Sequence, residues 1–126
     1  MGKPTVAVIG ASNDRSKYGN KAVRAHQAAG FVVFPVNLRE RTIEGLKVYR
    51  SVAEIPGAVD RVLLYLPPAE GIRLLRAIAG KKPKEFFVNP GAESETLIRK
   101  ATQLGLNPIQ ACSIVAVGKS PSEFPG

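Results

Sequence analysis

Thiol, imidazole and aromatic side chains are scarce in this chain. It carries one cysteine, one histidine, one methionine and no tryptophan, with three tyrosines and five phenylalanines. The single Cys112 excludes an internal disulfide and fits a reducing compartment. The single His26 has no neighbouring cluster of cysteines or carboxylates, so no metal-ligand set is visible. Acidic residues are also short, 10 against 18 lysines and arginines, which leaves a net charge of +8. The basic residues are scattered and are not interleaved with aromatics. That pattern argues against a nucleic-acid surface and fits a solvated exterior or a polyanionic small-molecule ligand. No apolar run approaches the ~20 residues of a membrane span. Met1-Gly2-Lys3-Pro4 leads straight into a strand-like run with no signal-peptide core, so the sequence reads as cytoplasmic.

What is present is an alternation of strands and helices over 126 residues, enough for one core. β-Branched or aromatic runs predict strands over Thr5–Ile9, Phe31–Val36, Arg61–Leu66, Glu85–Val88 and Pro108–Gln110. Pro35, lacking an N–H, belongs near the end or edge of its strand. Apolar spacing predicts helices over Lys21–Ala29, Ala69–Ala79 and Ser94–Leu104, closed by Gly30, Gly80 and Gly105. Ile43–Tyr49 reads as a loop, and Ser51 as the cap of a short turn through Glu54. Ser113–Val117 fits either a helical turn or a short strand. The order predicts an α/β fold: a Rossmann-like three-layer domain with a mostly parallel five-stranded sheet, over residues 1–118. The Pro- and Ser-rich residues 119–126 read as a mobile tail. Right-handed crossovers place the loops after the strands on one sheet edge, where open parallel sheets bind ligands.

The most informative of those loops follows the first strand. Val6-Ala7-Val8-Ile9 runs into Gly10-Ala11-Ser12, a strand and tight turn before a helix, as phosphate-binding turns require. The dinucleotide fingerprint is broken, because its second and third glycine positions hold Ser12 and Arg15. Small Ala11 and Ser12 still let a phosphate reach backbone N–H groups, and the Ser12 hydroxyl adds a donor. Asn13, Arg15, Tyr18 and Gly19 complete this part of the candidate site. The end of the second strand, where an NAD reader carries an acid for the ribose, holds Asn37. Arg39 and Arg41 beyond it suit a ribose phosphate, as in NADP or coenzyme A. Pro67-Pro68 and Asn89-Pro90-Gly91 end the third and fourth strands, which fits either rigid pocket walls or simple strand termination.

Taken together, Val8-Ile9-Gly10-Ala11-Ser12, Tyr18-Gly19, Pro35-Val36-Asn37, Gly45-Leu46-Lys47-Val48-Tyr49, Pro67-Pro68, Gly91 and Cys112 resemble the small CoA-binding proteins of bacteria and archaea. The resemblance runs from residue 5 to about 117. The same fold forms the CoA-binding domain of the succinyl-CoA synthetase α subunit. It implies a coenzyme A ligand whose pyrophosphate lies on Gly10, Ala11 and Ser12. Asn37 and Arg39 then lie near the adenosine phosphate, and Pro67, Pro68 and Gly91 border the adenine or the pantetheine. Two departures stand out. Many members have a helix before the first strand, which this sequence lacks. Many also have an acid shortly after the cysteine, where this chain has the uncharged Ser113-Ile114-Val115-Ala116-Val117.

No catalytic residue is identified. The phosphohistidine of the synthetases lies in a second domain, and His26 falls inside a helix as a surface or packing residue. Cys112 has no neighbour that would lower its pKa and reads as a small buried hydrophobe. Three functions follow in order: non-catalytic binding of CoA or an acyl-CoA, an NADP-binding protein or enzyme fragment, and a regulatory protein with a decayed ligand site. The sequence is compatible with a monomer or a homodimer.

Overall fold

The structure, a computed structural model, describes residues 2–126. Five strands form one parallel sheet: β1 (Thr5–Ile9), β2 (Val32–Val36), β5 (Arg61–Leu64), β6 (Glu85–Val88) and β7 (Pro108–Gln110). Their spatial order is β2-β1-β5-β6-β7. The chain passes from β1 to β2 on one side, then crosses to β5 on the other side of β1. The topological switch point therefore lies over the C-terminal ends of β1 and β5. This is the Rossmann-like α/β architecture that the sequence predicts.

Strand alternation divides the core into two layers. Ala7 and Ile9 join Val62, Leu64, Phe86 and Val88 beneath α2 (Pro68–Gly80) and α3 (Glu95–Gln103), with Leu75, Ile78, Leu97 and Ala101 packed on them. Val6 and Val8 join Val33, Leu63 and Phe87 on the other face, against Ala22, Val23 and Ala25 of α1 (Tyr18–Ala28) and Ile114 of α4 (Ser113–Ala116). Burial on both faces explains why β1, β5 and β6 read as nearly continuous apolar runs.

Several boundaries differ from the sequence prediction. α1 begins at Tyr18 rather than Lys21, because its first turn packs through Gly19 and carries no apolar periodicity. The third strand ends at Leu64, and α2 starts at Pro68, whose missing N–H costs nothing in a first turn. Gly80 is the last helical residue rather than the stop; Lys82 takes the positive φ, 50°. Ile43–Tyr49 is not a plain loop. It contains the hairpin β3 (Thr42–Ile43) and β4 (Leu46–Lys47), turned by Glu44 and Gly45 at φ 50° and 77°. Both central residues are left-handed, as a type I′ turn requires, and two-residue strands leave too little pattern to read. Pro35 lies on edge strand β2, where Tyr49 N–H donates to its carbonyl at 2.9 Å. Residues 119–126, read as a mobile tail, contain a short 3-10 turn, Pro121–Glu123. Phe124 packs on the α1 side of the core.

The N-terminal edge of the sheet is closed by polar pairs. Asp60 accepts from the Thr5 backbone and hydroxyl at 2.8 and 3.1 Å. The Arg61 guanidinium donates twice to Glu85, at 2.9 and 3.0 Å, and lies 5.0 Å from the ring centres of both Phe31 and Phe87. His26 is fully buried beside it, Nδ1 2.9 Å from the Ala22 carbonyl and Nε2 3.5 Å from Arg61. The packing role read for His26 thus holds, in the interior. Burial, with the Arg61 charge adding to it against the Ala22 carbonyl, pushes its pKa down to about 4. The ring is neutral in the folded protein, whereas the unfolded chain takes a proton near pH 6.5. Stability is therefore full above pH 6.5 and falls as pH drops toward 4, by on the order of 3 kcal/mol. Urea unfolding at pH 7 and pH 4.5 should show that loss, and a His26→Leu variant should flatten the curve across this window.

Candidate functional site

The turn after β1 is set by two glycines. Gly10 has φ 92°, and a Cβ there would stand 2.9 Å from the Tyr65 carbonyl oxygen. A Cβ on Gly19 would stand 2.1 Å from the carbonyl oxygen of Gly10. The first turn of α1 thus rests directly on the backbone of the turn. Gly19 does the close-packing work that the fingerprint assigns to a third glycine, nine residues after Gly10 instead of five. α1 has no side-chain cap at Lys17. Among the described residues, the N–H groups of Ala11, Ser12, Tyr18 and Gly19 have no hydrogen-bond acceptor, so they are available to an anion.

Side chains fix this turn from three directions. Asn37 Nδ2 donates to the Ala11 carbonyl at 2.9 Å, while Asn37 Oδ1 accepts from the N–H groups of Arg39 and Glu40. Buried Asn20 donates to the Ser12 carbonyl at 2.9 Å and to Glu44 at 3.0 Å. The Ser12 hydroxyl accepts from Asp14 N–H at 2.9 Å. Ser16 donates to Asp14 through N–H and hydroxyl, which holds that carboxyl below its ordinary range.

A two-lobed cavity opens over the switch point. The larger lobe, about 620 Å³, is bounded by Lys17, Asn37, Leu38, Arg39, Arg50 and Arg73, with Glu70 its sole acid. The smaller, about 520 Å³, is bounded by Ala11, Ser12, Tyr18, Gly19, Tyr65, Pro67, Pro90 and Gly91. Gly10, Lys17, Asn37 and Leu66 belong to both. Concave, largely apolar walls with a few convergent polar groups are the general form of a small-molecule site.

Of the residues singled out from sequence, Gly10, Ala11, Ser12, Tyr18, Gly19, Asn37, Arg39, Pro67, Pro90 and Gly91 line this cavity. Four do not. Asn13 donates to Glu40 and the Thr42 carbonyl, and Arg15 pairs with Glu44 at 3.3 Å, so both tie the turn to the β3–β4 hairpin. Pro68 opens α2. Asn89 is buried, bonded to the Leu64 carbonyl and to Ser113 N–H and Oγ. Ser113 in turn shares a 2.8 Å hydrogen bond with the Tyr65 hydroxyl, and burial raises the Tyr65 phenol above its usual range. Arg41 also lies outside the lining. Cys112 is half-buried against the α1-side core. Lys17, Leu38, Arg50 and Arg73 were not legible as site residues, since no motif marks them. Arg50 follows the strip at Tyr49 that pairs with β2, and Arg73 lies in the first turns of α2, after the Pro67-Pro68 bend.

A parallel sheet with an open cavity at its switch point and a glycine turn beneath it defines a Rossmann-like domain built around a small-molecule site. The family model described as a CoA binding domain matches residues 4–118, and the chain belongs to that family. Over 63 residues, 49% of this chain, it is 46% identical to the alpha subunit of an ADP-forming acetate–CoA ligase II from Pyrococcus furiosus. The matched stretch is 14% of that subunit's length. A conserved hypothetical protein from Pyrococcus furiosus is similar in structure, with a TM-score of 0.80 at 34% identity, over 91% of this chain and 99% of that one. The dinucleotide forming acetyl-coenzyme A synthetase 1 of Ca. Korarchaeum cryptofilum, solved with phosphate and ADP, has a TM-score of 0.73 at 27% identity. That similarity covers 85% of this chain and 25% of the synthetase.

The contact between Gly19 and Gly10 leaves no room for one methyl group. Gly19→Ala should lower stability by about 1–3 kcal/mol through overpacking. Denaturant unfolding checks this.

Proposed function

We propose that the chain binds coenzyme A or an acyl-CoA, without chemistry of its own. The observation that carries this is the convergence of the unpartnered N–H groups of Ala11, Ser12, Tyr18 and Gly19 with Lys17, Arg39, Arg50 and Arg73 around two adjoining lobes that share Gly10, Lys17, Asn37 and Leu66. A ligand with a pyrophosphate at its middle, a phosphorylated nucleoside at one end and a long uncharged arm at the other matches that layout. The pyrophosphate takes the N–H groups of Ala11 and Ser12 and of the start of α1, where the helix dipole adds to the attraction. The adenosine phosphate takes the lobe with the arginines, whose planar guanidinium groups suit phosphate oxygens. The arm takes the smaller lobe between Tyr18, Pro67 and Pro90, which has no charge besides Lys17.

Asn37 supports the site indirectly. Both ends of its amide are committed to backbone, so it holds the turn in place rather than reading a ribose. Membership in the CoA binding domain family and the similarity to parts of CoA ligases support the same ligand. NADP is the competing ligand, since it also carries a ribose phosphate, but only Arg39 of the two arginines after β2 reaches the cavity.

Calorimetry should show CoA binding more tightly than NADP, NAD or dephospho-CoA. Removing one charge-assisted phosphate contact costs on the order of 2 kcal/mol, so Arg39→Ala should weaken CoA about tenfold or more. Absence of heat with CoA and acetyl-CoA at millimolar concentration would sink the proposal.

A further inference from the structure

Arg24 lies outside the cavity, on α1, yet its guanidinium joins three parts of the molecule. Nε donates to Asn20 Oδ1 at 2.8 Å. One terminal nitrogen donates to the Arg15 carbonyl and the Phe124 carbonyl, both at 2.9 Å. The other donates to the Pro125 carbonyl at 3.1 Å. The group also stands 5.8 Å from the centre of the Phe124 ring. Asn20, oriented by Arg24, is the residue that donates to the Ser12 carbonyl. The end of the segment touches the same turn a second time. A Cβ built on Gly126 would fall 2.6 Å from Ser16 Cα. Residues 119–126 lie beyond the stretch matched by the family model, which ends at residue 118.

We propose that residues 119–126 form a strap that positions the turn between β1 and α1 through Arg24, which makes Arg24 a positioning residue for the ligand. The loop from Asn13 to Lys17 is exposed, and its internal bonds run within a few residues: Asp14 N–H to Ser12, Ser16 N–H to Asp14, Lys17 N–H to the Asp14 carbonyl. Short-range bonds of this kind open locally unless something outside the loop holds them. Asn13 and Arg15 tie the loop to the hairpin on one side, and Arg24 supplies the hold on the other, because its planar fork reaches the loop carbonyl of Arg15 and the strap carbonyls together. Phe124 keeps the strap in place by packing on the α1-side core. The anion-binding N–H groups of Ser12 and Tyr18 flank this loop, so ordering it before the ligand arrives lowers the cost of binding.

The affinity part of this inference rests on the proposed CoA site, whereas the loop part does not. Hydrogen exchange on the full-length protein, with CoA calorimetry beside it, tests both. In Phe124→Ala and in Arg24→Gln, the hydrogen-bonded loop amides of Asp14, Ser16 and Lys17 should exchange about tenfold faster without ligand, with β1, β5 and β6 unchanged. CoA should bind about tenfold more weakly. Phe124→Leu keeps an apolar side chain on the core and should behave as the unaltered protein. Should Arg24→Gln fail to fold, the two Phe124 variants carry the comparison. Unchanged exchange at Asp14, Ser16 and Lys17 overturns the strap, as does faster exchange spread over the whole domain. Faster loop exchange with unchanged CoA affinity overturns the positioning role. If the unaltered protein binds no CoA, the proposed function fails while loop exchange still decides the strap.

Discussion

The backbone of Gly10 and the first turn of α1 touch with nothing between them. Gly19 sits where any side chain would collide with the Gly10 carbonyl, at 2.1 Å from the position of a Cβ. That contact sets how close α1 comes to the sheet. It therefore sets where the helix N-terminus points. The same approach leaves the N–H groups of the turn and of the helix start facing one space, over the switch point of the sheet. Gly10 itself is held from the opposite side by the Tyr65 backbone. The cavity above inherits its floor from this arrangement.

A tight backbone contact positions the turn but does not make it rigid along its length. The rest is done by amides that link separate loops. Asn37 joins the turn to the loop after β2, and Asn20 joins it to Glu44 of the hairpin. Asn13 and Arg15 reach the same hairpin. Asn89 does the equivalent work behind the far wall, where it holds Ser113, and through it Tyr65, in place. Polar residues that looked like ligand contacts thus turn out to be the frame around the contacts. Such residues have their hydrogen-bonding capacity filled before any ligand arrives, which is what preorganisation requires.

The division explains what the sequence disclosed and what it hid. The succession of strands and helices, the three-layer fold and the turn at Gly10–Ser12 were legible because they depend on local patterns: apolar runs, helix periodicity and a glycine at a bend. The hairpin at Thr42–Lys47 was hidden because strands of two residues leave no periodicity. Arg50 and Arg73 were hidden because they reach the cavity only through tertiary folding, one from beyond the hairpin and one from α2. Asn89 and Asn13, singled out as site residues, lie outside the cavity lining for the opposite reason. Each sits in a loop at the correct sheet edge, and only the three-dimensional bonds show that its amide faces the protein. The tail composition of residues 119–126 carried no trace of Arg24, 100 residues away from Phe124.

The two edges of the sheet are built on opposite principles. At the N-terminal edge a set of polar groups is paired: Thr5 with Asp60, Arg61 with Glu85, His26 between Ala22 and Arg61. The Arg61 guanidinium is further enclosed by two aromatic rings. Breaking such a set leaves a buried group unpaired, so this edge contributes to stability and resists change. At the C-terminal edge the N–H groups of Ala11, Ser12, Tyr18 and Gly19 are left without acceptors, and Arg39, Arg50 and Arg73 form no ion pair among the described residues. That is unfavourable for the empty protein and favourable for an anion, since the donors need no rearrangement to receive it. The surplus of positive charge over the whole chain points the same way. It costs some self-repulsion in the folded state, and at the C-terminal edge Lys17, Arg39, Arg50 and Arg73 stand beside the open N–H groups.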